Sequence, residues 1–168
     1  MPDPEPHPSV APASLELSRR LGTVRLEKQL ARWLCGSLHL GRDSATDTGV
    51  FVWICTPAPE RLQIEERFLS NGRLLAPLEH PALLAVRTAG REGDEFFVVT
   101  ESSDGAPFPA VTNESDRTIA GWGRDLALAL QAMHRSGLVV CDIHPANMRV
   151  EATGSIRWWV AGVDAVPR

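Results

Sequence analysis

The chain has 168 residues, of which 43% are hydrophobic and 23% are charged, and its formal net charge is −4. This is the composition of a globular domain with a hydrophobic core, and it excludes a chain that is fibrous or disordered throughout. The acidic balance argues against the broad basic surface that nucleic acid or an anionic membrane would select. We therefore expect neither of them as a partner.

Three features of the chain bear on its compartment. No apolar run approaches the roughly 20 residues of a membrane-spanning helix, and the N-terminus lacks the basic start and apolar core of an export signal. Cys35, Cys55 and Cys141 are widely spaced and include no C-x-x-C pair, which favours reduced thiols over disulfides or a structural zinc site. We therefore expect a cytoplasmic protein without a bound metal.

The chain begins with a predicted tail, which is followed by a small sheet. Prolines punctuate residues 1–14, which predicts an extended, disordered tail. A short helix is predicted over residues 15–22. Alternating apolar residues and β-branched runs then predict an antiparallel meander of three strands, over residues 24–30, 35–42 and 50–56.

A helix and two more strands are predicted next. Apolar residues recur at helical spacing over residues 59–78, between two prolines that limit the helix. The stretches 82–90 and 95–101 are rich in apolar and β-branched residues and are predicted to be strands, joined by a charged turn. The polar residues 102–117 are predicted to form a loop.

The last part of the chain is predicted to be a long helix followed by a hairpin. Helical periodicity over residues 118–137 places Ile119, Trp122 and Met133 on one buried face, and Gly137 is expected to cap the C-terminus of the helix. The chain then continues with "LVVCDIHPANMRV", a turn at residues 151–155 and a strand at 156–162.

Two stretches carry a family resemblance. "LSNGRLLAPLEHPALLAV" resembles helix C of the protein kinases and their H-P-x-[IL] turn, and "LALALQAMHRSGLVVCDIHPANMRV" resembles their helix E and catalytic loop. The order of elements is similar to that of a bacterial Ser/Thr kinase from about residue 22 to 166. The resemblance implies an α+β fold. A kinase-like small lobe (15–103) would contain a five-stranded antiparallel sheet and helix C, and a truncated large lobe (104–168) would contain helix E, a catalytic-loop remnant and a β-hairpin.

The small-lobe residues that hold ATP in the kinases are replaced in this sequence. The family's glycine-rich turn lets backbone N–H groups approach the phosphates, whereas the matching "ARWLCG" keeps Gly36 but has Ala31 and Trp33 at the other two positions. Trp33 is expected to fill the phosphate space. The family's phosphate-binding lysine falls on Cys55, and the helix C glutamate that orients this lysine falls on Asn71. The resemblance therefore implies that no nucleotide cofactor is held.

The large lobe keeps part of its catalytic signature. In the motif H-R-D-x-x-x-x-N, the catalytic base matches Asp142 and a metal ligand matches Asn147. The lysine two residues after the aspartate becomes His144. The D-F-G aspartate, which is the main magnesium ligand, falls on Gly162, and Asp164 lies two residues later. Asp142 and Asn147 are thus retained catalytic positions, predicted to be inactive and to brace their own loop through hydrogen bonds.

This pattern favours a catalytically inactive kinase-like protein, a pseudokinase, that binds another protein as a regulator or scaffold. One alternative is a divergent nucleotide-binding or phosphotransfer enzyme that uses Asp142, Asn147 and Asp164. Another is one half of a split kinase whose other lobe is a separate polypeptide. A thiolate pair or metal site formed by Cys141 and His144 is less favoured, because the sequence shows no oxyanion site and no second ligand cluster.

The last strand locates the predicted partner surface. In "IRWWV", strand alternation puts Trp158 on a buried face and places Arg157 and Trp159 on the opposite, exposed face. An exposed tryptophan beside an arginine is typical of an interface anchor. Because the sequence ends six residues after Gly162, helix E is expected to lack its usual cover and to present an apolar face beside Trp159. The predicted partner is another protein, with a second copy of the chain as an alternative.

Overall fold

The structure is a computed structural model that describes residues 19–33, 36–55, 62–109, 113–140, 143–160 and 165–167. These residues form two α-helices, α1 (Leu62–Leu75) and α2 (Asp116–Arg135), and eleven β-strands. The strands are β1 (Arg20–Leu21), β2 (Val24–Trp33), β3 (Gly36–Asp43), β4 (Thr48–Cys55), β5 (Val86–Glu92), β6 (Glu95–Glu101), β7 (Ala106–Pro107), β8 (Leu138–Val140), β9 (Met148–Val150), β10 (Ile156–Trp158) and β11 (Ala165–Pro167). The predicted tail at residues 1–14 lies outside the described part of the chain.

Six strands form one sheet in the order β1-β2-β3-β4-β6-β5, and every neighbouring pair is antiparallel. The predicted meander is confirmed as β2, β3 and β4, and the next two predicted strands are β5 and β6. Strand β4 is buried on both of its faces: alternate residues from Phe51 to Cys55 join the main core, whereas those from Val50 to Ile54 join a second cluster. The five predicted strands are all present, and β1 adds a sixth.

The helix predicted over residues 15–22 is wrong at its C-terminal end. Arg20 and Leu21 form β1, which pairs with β2, and Leu21 is only 1% exposed in the second cluster. Gly22 has a φ of 56°, which lets the chain turn back sharply from β1 into β2. Pairing with a long neighbouring strand and burial of Leu21 thus override the helical pattern of this short segment. Residues 15–18 lie outside the described part of the chain.

Helix α1 occupies the place predicted for helix C, and it packs against β5 and β6. Its buried side chains include Phe68, Asn71 and Leu75. A Cβ atom on Gly72 would lie 2.7 Å from the Cβ of Ala89, so glycine at this position lets the helix approach the sheet closely. The main sheet and α1 together make up the small lobe.

Helix α2 confirms the long predicted helix. The side chain of Ser115 caps it by accepting a hydrogen bond of 3.2 Å from the backbone N–H of Thr118, and Gly137 ends it with a φ of 83°. The indole of Trp122 is buried and donates a 2.8 Å hydrogen bond to the carbonyl of Gly154. Ile119 was expected on the same buried face but is 43% exposed. It lies in the first turn of the helix, and the buried residues of α2 begin one turn later, at Trp122.

Three short strands pack beside α2. Strands β9 and β10 form the predicted hairpin, whose turn is closed by a 2.9 Å hydrogen bond from the N–H of Glu151 to the carbonyl of Ser155. Strand β7 pairs with the other edge of β9, so the predicted loop at 102–117 contains a short strand and also the start of α2. Strand β10 ends at Trp158, earlier than the predicted strand at 156–162. Strand β8 pairs with β11.

No helix in the described part of the chain has the length and apolar character needed to cross a membrane.

Candidate functional site: the cleft between the sheet and the hairpin

The candidate site is the space between the main-core face of β3 and β4 and the β9–β10 hairpin, here called the cleft. Its upper edge corresponds to the predicted glycine-rich turn, where Trp33 pairs with Gly36 across the β2–β3 connection. A Cβ atom on Gly36 would overlap the carbonyl oxygen of Ile54, so this glycine is required by the close approach of β3 and β4. The predicted filling of the phosphate space by Trp33 concerns a side chain outside the described structure and stays a prediction.

Cys55 lies at the end of β4, at the position predicted to replace the phosphate-binding lysine. It pairs with Gly36 on one side and with Phe96 on the other, and its side chain is buried in the main core. Lys28, the only lysine of the sequence, is exposed on β2, where it pairs with Leu40. A small uncharged side chain suits this buried position, because a buried ammonium group without a nearby anion is costly.

Asn71 lies on α1 at the position predicted to replace the helix C glutamate, and it is completely buried. A carboxylate at the same place would need a cation or several hydrogen-bond donors to offset its lost hydration. Cys55 supplies no positive charge. The two replacements are therefore physically compatible with each other.

The catalytic-loop motif is only partly within the described structure. Asp142, like Cys141, lies outside the described residues, so its predicted role stays a prediction. Asn147 ends a 3₁₀ turn (Pro145–Asn147), in which its N–H donates a 2.9 Å hydrogen bond to the carbonyl of His144. The His144 ring is exposed, and its Nδ1 accepts a 3.1 Å hydrogen bond from the N–H of Ala146. The described part of this loop is thus stabilised by local hydrogen bonds.

Trp159 contradicts the predicted pattern of exposure. It is only 3% exposed, and Trp158 is also buried, as predicted. The Trp159 ring lies 5.7 Å from the ring of Phe51 and 6.4 Å from that of Trp53, both on β4. Strand alternation fails as a guide here because β10 ends at Trp158 and the sheet covers the next residue. The prediction of an exposed Trp159 is therefore wrong, and the side chain is not accessible as an interface anchor.

Arg149 covers another side of the Trp159 ring. Its guanidinium carbon lies 5.3 Å from the ring centre, which is the geometry of a cation–π contact. The side chain is half-buried, and burial lowers the pKa of Arg149 from its ordinary value. The indole of Trp159 is thus enclosed between the aromatic side chains of β4 and the guanidinium of β9.

Arg157 holds the hairpin to the small lobe, which differs from the exposed position predicted for it. Its guanidinium donates a 2.6 Å hydrogen bond to the carboxylate of Glu101, at the end of β6, and a 3.4 Å hydrogen bond to the carbonyl of Pro81. The side chain is half-buried. A role of Arg157 in partner binding stays a prediction, but two of the five N–H donors of its guanidinium bond within the chain.

Backbone hydrogen bonds join the same two regions. The N–H of Trp158 donates to the carbonyl of Ala82 over 2.8 Å, and the N–H of Leu84 donates to the carbonyl of Trp158 over 2.9 Å. His80 stabilises this segment, since its Nδ1 accepts a 3.1 Å hydrogen bond from the N–H of Ala82. The predicted H-P-x-[IL] turn is therefore the place where the hairpin joins the small lobe.

The hairpin register also bears on the magnesium-binding aspartate. Trp158 pairs with Met148, and the N–H of Trp159 donates a 3.1 Å hydrogen bond to the carbonyl of Asn147. In the kinases, the D-F-G aspartate and the catalytic-loop asparagine both hold magnesium ions, and the residue that directly follows Trp159 in this chain is the buried Val160. Gly162 and Asp164 lie outside the described residues. Neither valine nor glycine offers a carboxylate.

Val160 is buried and lies among apolar side chains, where it helps to line a small apolar pocket beneath α1 together with Leu75, Leu78, Leu83, Leu84 and Val86. Among the described residues, no group of three or more His, Cys, Asp or Glu side chains is arranged to hold a metal ion. The described surroundings of Val160 are therefore apolar.

The sequence interpretation missed the contributions of Arg149 and Glu101. Arg149 could have been suspected, because it lies two residues after the end of the catalytic-loop signature, between the apolar residues Met148 and Val150. Glu101 carried no local signal, since its partner Arg157 lies 56 residues away and only the tertiary structure brings the two together.

Comparisons with known proteins agree with this geometry. No protein-family model matches the chain. The serine/threonine-protein kinase PknA of Mycobacterium tuberculosis is 31% identical over 115 residues, which are 61% of this chain and 27% of that protein. The serine/threonine-protein kinase PksC of Streptomyces coelicolor is 27% identical over 149 residues, which are 81% of this chain and 27% of that protein. The chain thus spans about a quarter of the length of these relatives.

Solved structures show the same similarity. The PknI kinase domain of Mycobacterium tuberculosis superposes with a TM-score of 0.73 at 21% identity, over 90% of this chain and 64% of the domain. The matching region includes a curled antiparallel sheet, the helix packed on it, a second long helix and a hairpin. The chain therefore has a protein kinase-like fold, made up of the small lobe and the first part of the large lobe.

Proposed function

We propose that this chain is a catalytically inactive kinase-like protein that acts by binding another protein, as a regulator or scaffold. The observation that carries the proposal is the burial of Trp159 between β4 and Arg149. The three groups occupy the junction between sheet and hairpin, and the retained residue Asn147 is hydrogen-bonded to the backbone of Trp159. A nucleotide entering this space would have to displace a packed tryptophan.

The charges of the cleft support the same conclusion. Phosphoryl transfer depends on positioning and on neutralising the charge of the transferred group, which in the kinases requires a lysine, a glutamate and a magnesium-binding aspartate. The corresponding positions of this chain are Cys55, Asn71 and either Val160 or Gly162. None of them carries a charge. Binding of ATP would therefore lack the main electrostatic attraction that the family uses.

A chain that keeps the kinase-like fold but lacks the charged catalytic groups of the kinases can still bind another protein through its surface. The small lobe has a complete six-stranded sheet with its helix, and the hairpin is tied to it by side-chain and backbone hydrogen bonds. These contacts give the described part of the chain a defined surface. Such a surface can recognise a partner by shape and charge.

The divergent phosphotransfer enzyme is the second candidate, and the retained Asn147 is the observation in its favour. This alternative also needs Asp142 and Asp164, which lie outside the described residues. The described contacts of Asn147 are accounted for by structure alone, since its N–H and its carbonyl both bond within the loop and the hairpin. For this reason we favour the inactive protein. A split kinase would require a separate polypeptide that supplies the missing charged groups.

The test of the proposal is a thermal melt with and without millimolar Mg-ATP. A ligand that binds the folded state at one hundred times its Kd stabilises it by about 2.7 kcal/mol, which raises the Tm of a chain of this size by roughly 5–10 °C. We expect no rise in Tm. An active bacterial kinase domain in the same buffer provides the positive control. A magnesium-dependent rise that disappears in Asn147→Ala would contradict the inactive cleft and support the phosphotransfer alternative.

A rescue experiment restores the lysine that the kinases have at the position of Cys55. Cys55→Lys restores the ammonium group, but Asn71 cannot orient it, and neither Gly162 nor Val160 has a carboxylate that could hold magnesium. We therefore expect no transfer of labelled phosphate to the chain itself or to a general protein substrate. Transfer by the variant, absent in the parent chain, would mean that Cys55 alone blocks activity and that the cleft is otherwise competent.

A further inference from the structure

The outward side of α2 carries a regular stripe of side chains. Spacings of four and three residues alternate along it, which places its members on one line of the helix surface. This line lies opposite the buried side chains Trp122, Ala129 and Met133. The members of this outer stripe are Arg117, Gly121, Arg124, Leu128, Gln131 and Arg135.

The outer stripe is basic, with an exposed leucine in its middle. Leu128 is 47% exposed, and the three arginines are exposed as well. Arg124 pairs with Asp125 over 2.9 Å, and in the described part of the chain neither Arg117 nor Arg135 takes part in an ion pair. A single exposed leucine is ordinary, but one centred in a line of like charges has the arrangement of an apolar anchor with a charged rim.

Gly121 is a second and independent observation on the same stripe. A Cβ atom there would meet no described atom within 4 Å, and its φ is not positive, so neither packing within the described part of the chain nor backbone conformation requires glycine. Glycine inside a helix lowers the stability of that helix. Its absent side chain does allow another backbone to approach the stripe closely.

We propose that the outer stripe of α2 docks an acidic amphipathic helix of a protein partner. A helix is the element that matches a straight stripe of about 27 Å, which is the distance covered by the 18 steps from Arg117 to Arg135 at a rise of about 1.5 Å each. Glutamate or aspartate side chains of the partner would face the three arginines, and an apolar side chain would pack on Leu128 beside Gly121. The inference rests on the proposed protein-binding function and names the surface and the chemistry of the partner.

The probe is a fluorescently labelled synthetic helix of about six turns, with leucines on one face and flanking glutamates. Its binding to the full chain is measured by anisotropy at about 50 mM salt, where charge attraction is least screened. We expect a micromolar Kd that rises with salt concentration. A matched peptide with lysines in place of the glutamates is expected to bind at least tenfold more weakly. Equal binding of the two peptides would overturn the proposal.

Two pairs of variants locate the peptide on the stripe. Leu128→Ala is expected to raise the Kd about tenfold, whereas Ile119→Ala, which removes another exposed side chain roughly half a turn away around α2, leaves it unchanged. Gly121→Ala is expected to raise the Kd, whereas Gly123→Ala, which also meets open space but lies off the stripe, is not. Both glycine variants should raise the Tm, which shows that they fold.

Failure of this inference is distinguishable from failure of the proposed function. If neither peptide binds, or if Leu128→Ala binds as the parent does, the stripe is not the docking site. The thermal melt with Mg-ATP then still decides whether the cleft is inactive. A nucleotide-dependent rise in Tm would instead contradict the proposed function, whatever the peptides do.

Discussion

The two sides of the cleft are held in place by different forces. On the sheet side, β4 is paired along its length with β3 and along most of it with β6, so backbone hydrogen bonds fix its position. On the hairpin side, β9 and β10 have three residues each. They depend on the side chains of Trp159 and Arg157 and on a few backbone bonds to the H-P-x-[IL] turn.

This difference explains how residues of β4 could change without loss of the fold. A residue such as Cys55 can replace a lysine on β4 because the ladder of hydrogen bonds does not depend on the side chain. On the hairpin, by contrast, the side chains themselves provide the attachment. We therefore expect substitutions on the hairpin side to change stability more than substitutions at exposed positions of the sheet, and the predictions below test this contrast.

The largest effect is expected for Trp159→Ala. Removal of a buried aromatic side chain from a core costs about 3–5 kcal/mol, because the cavity is only partly refilled. Urea unfolding followed by circular dichroism measures the loss. Trp159→Phe retains part of the contact with Phe51 and should lose clearly less. A loss below about 1 kcal/mol for the alanine variant would mean that Trp159 is exposed, as the alternation of the sequence first indicated.

A smaller effect, on the sheet side, is expected from acid. His39 on β3 is buried. This burial lowers the pKa of His39 to about 4, and the charge of Arg19 makes a smaller contribution in the same direction. Its Nε2 lies 2.8 Å from the hydroxyl of Ser37. Because the pKa in the folded state is below the unfolded value of about 6.5, the unfolded state gains a proton first as the pH falls.

The expected result is a free energy of unfolding that is unaffected by His39 above pH 6.5 and falls by about 3 kcal/mol between pH 6.5 and 4. Urea unfolding at several pH values measures it. His39→Gln should flatten the profile in this window. Asp43 does not interfere, because the hydrogen bond from Ala45 lowers the pKa of its carboxyl below 3.8. An unchanged profile in the variant would show that His39 is not the group that titrates.

The smallest effect is expected for the ion pair between Arg157 and Glu101. Both side chains are partly exposed, so their coupling in a double-mutant cycle with Arg157→Met and Glu101→Gln should be about 1 kcal/mol or less. The exposed pair of Arg91 and Asp94 is a matched control, for which we expect a coupling near zero. Equal coupling in the two pairs would mean that Arg157 does not hold the hairpin to the small lobe.

Local sequence patterns were sufficient to predict a helix or strand and its buried side chains where the pattern lies within that one element. The β-branched and aromatic run of β4 indicated a buried strand, and the 3.6-residue period of α2 correctly buried Trp122 and Met133. Gly154, with a φ of 81°, marks the predicted turn of the hairpin. The spacing from the helix C turn to the catalytic loop was enough to indicate the kinase-like fold, because it combines many such local signals in a fixed order.

Three features depended instead on contacts between elements. The pairing of β1 with β2 converted part of a predicted helix into a strand. The ion pair of Arg157 with Glu101 joins residues that are distant in the chain.

The third feature, the burial of Trp159, shows the physical reason most clearly. The alternation of residues along a strand indicates which side chains share a face, but it does not indicate whether another element covers that face. Here the sheet covers one side of the indole and Arg149 lies over another. The sequence by itself determined most of the elements and their order, whereas only the tertiary structure decided that Trp159 is buried, because burial is a property of the packing between elements.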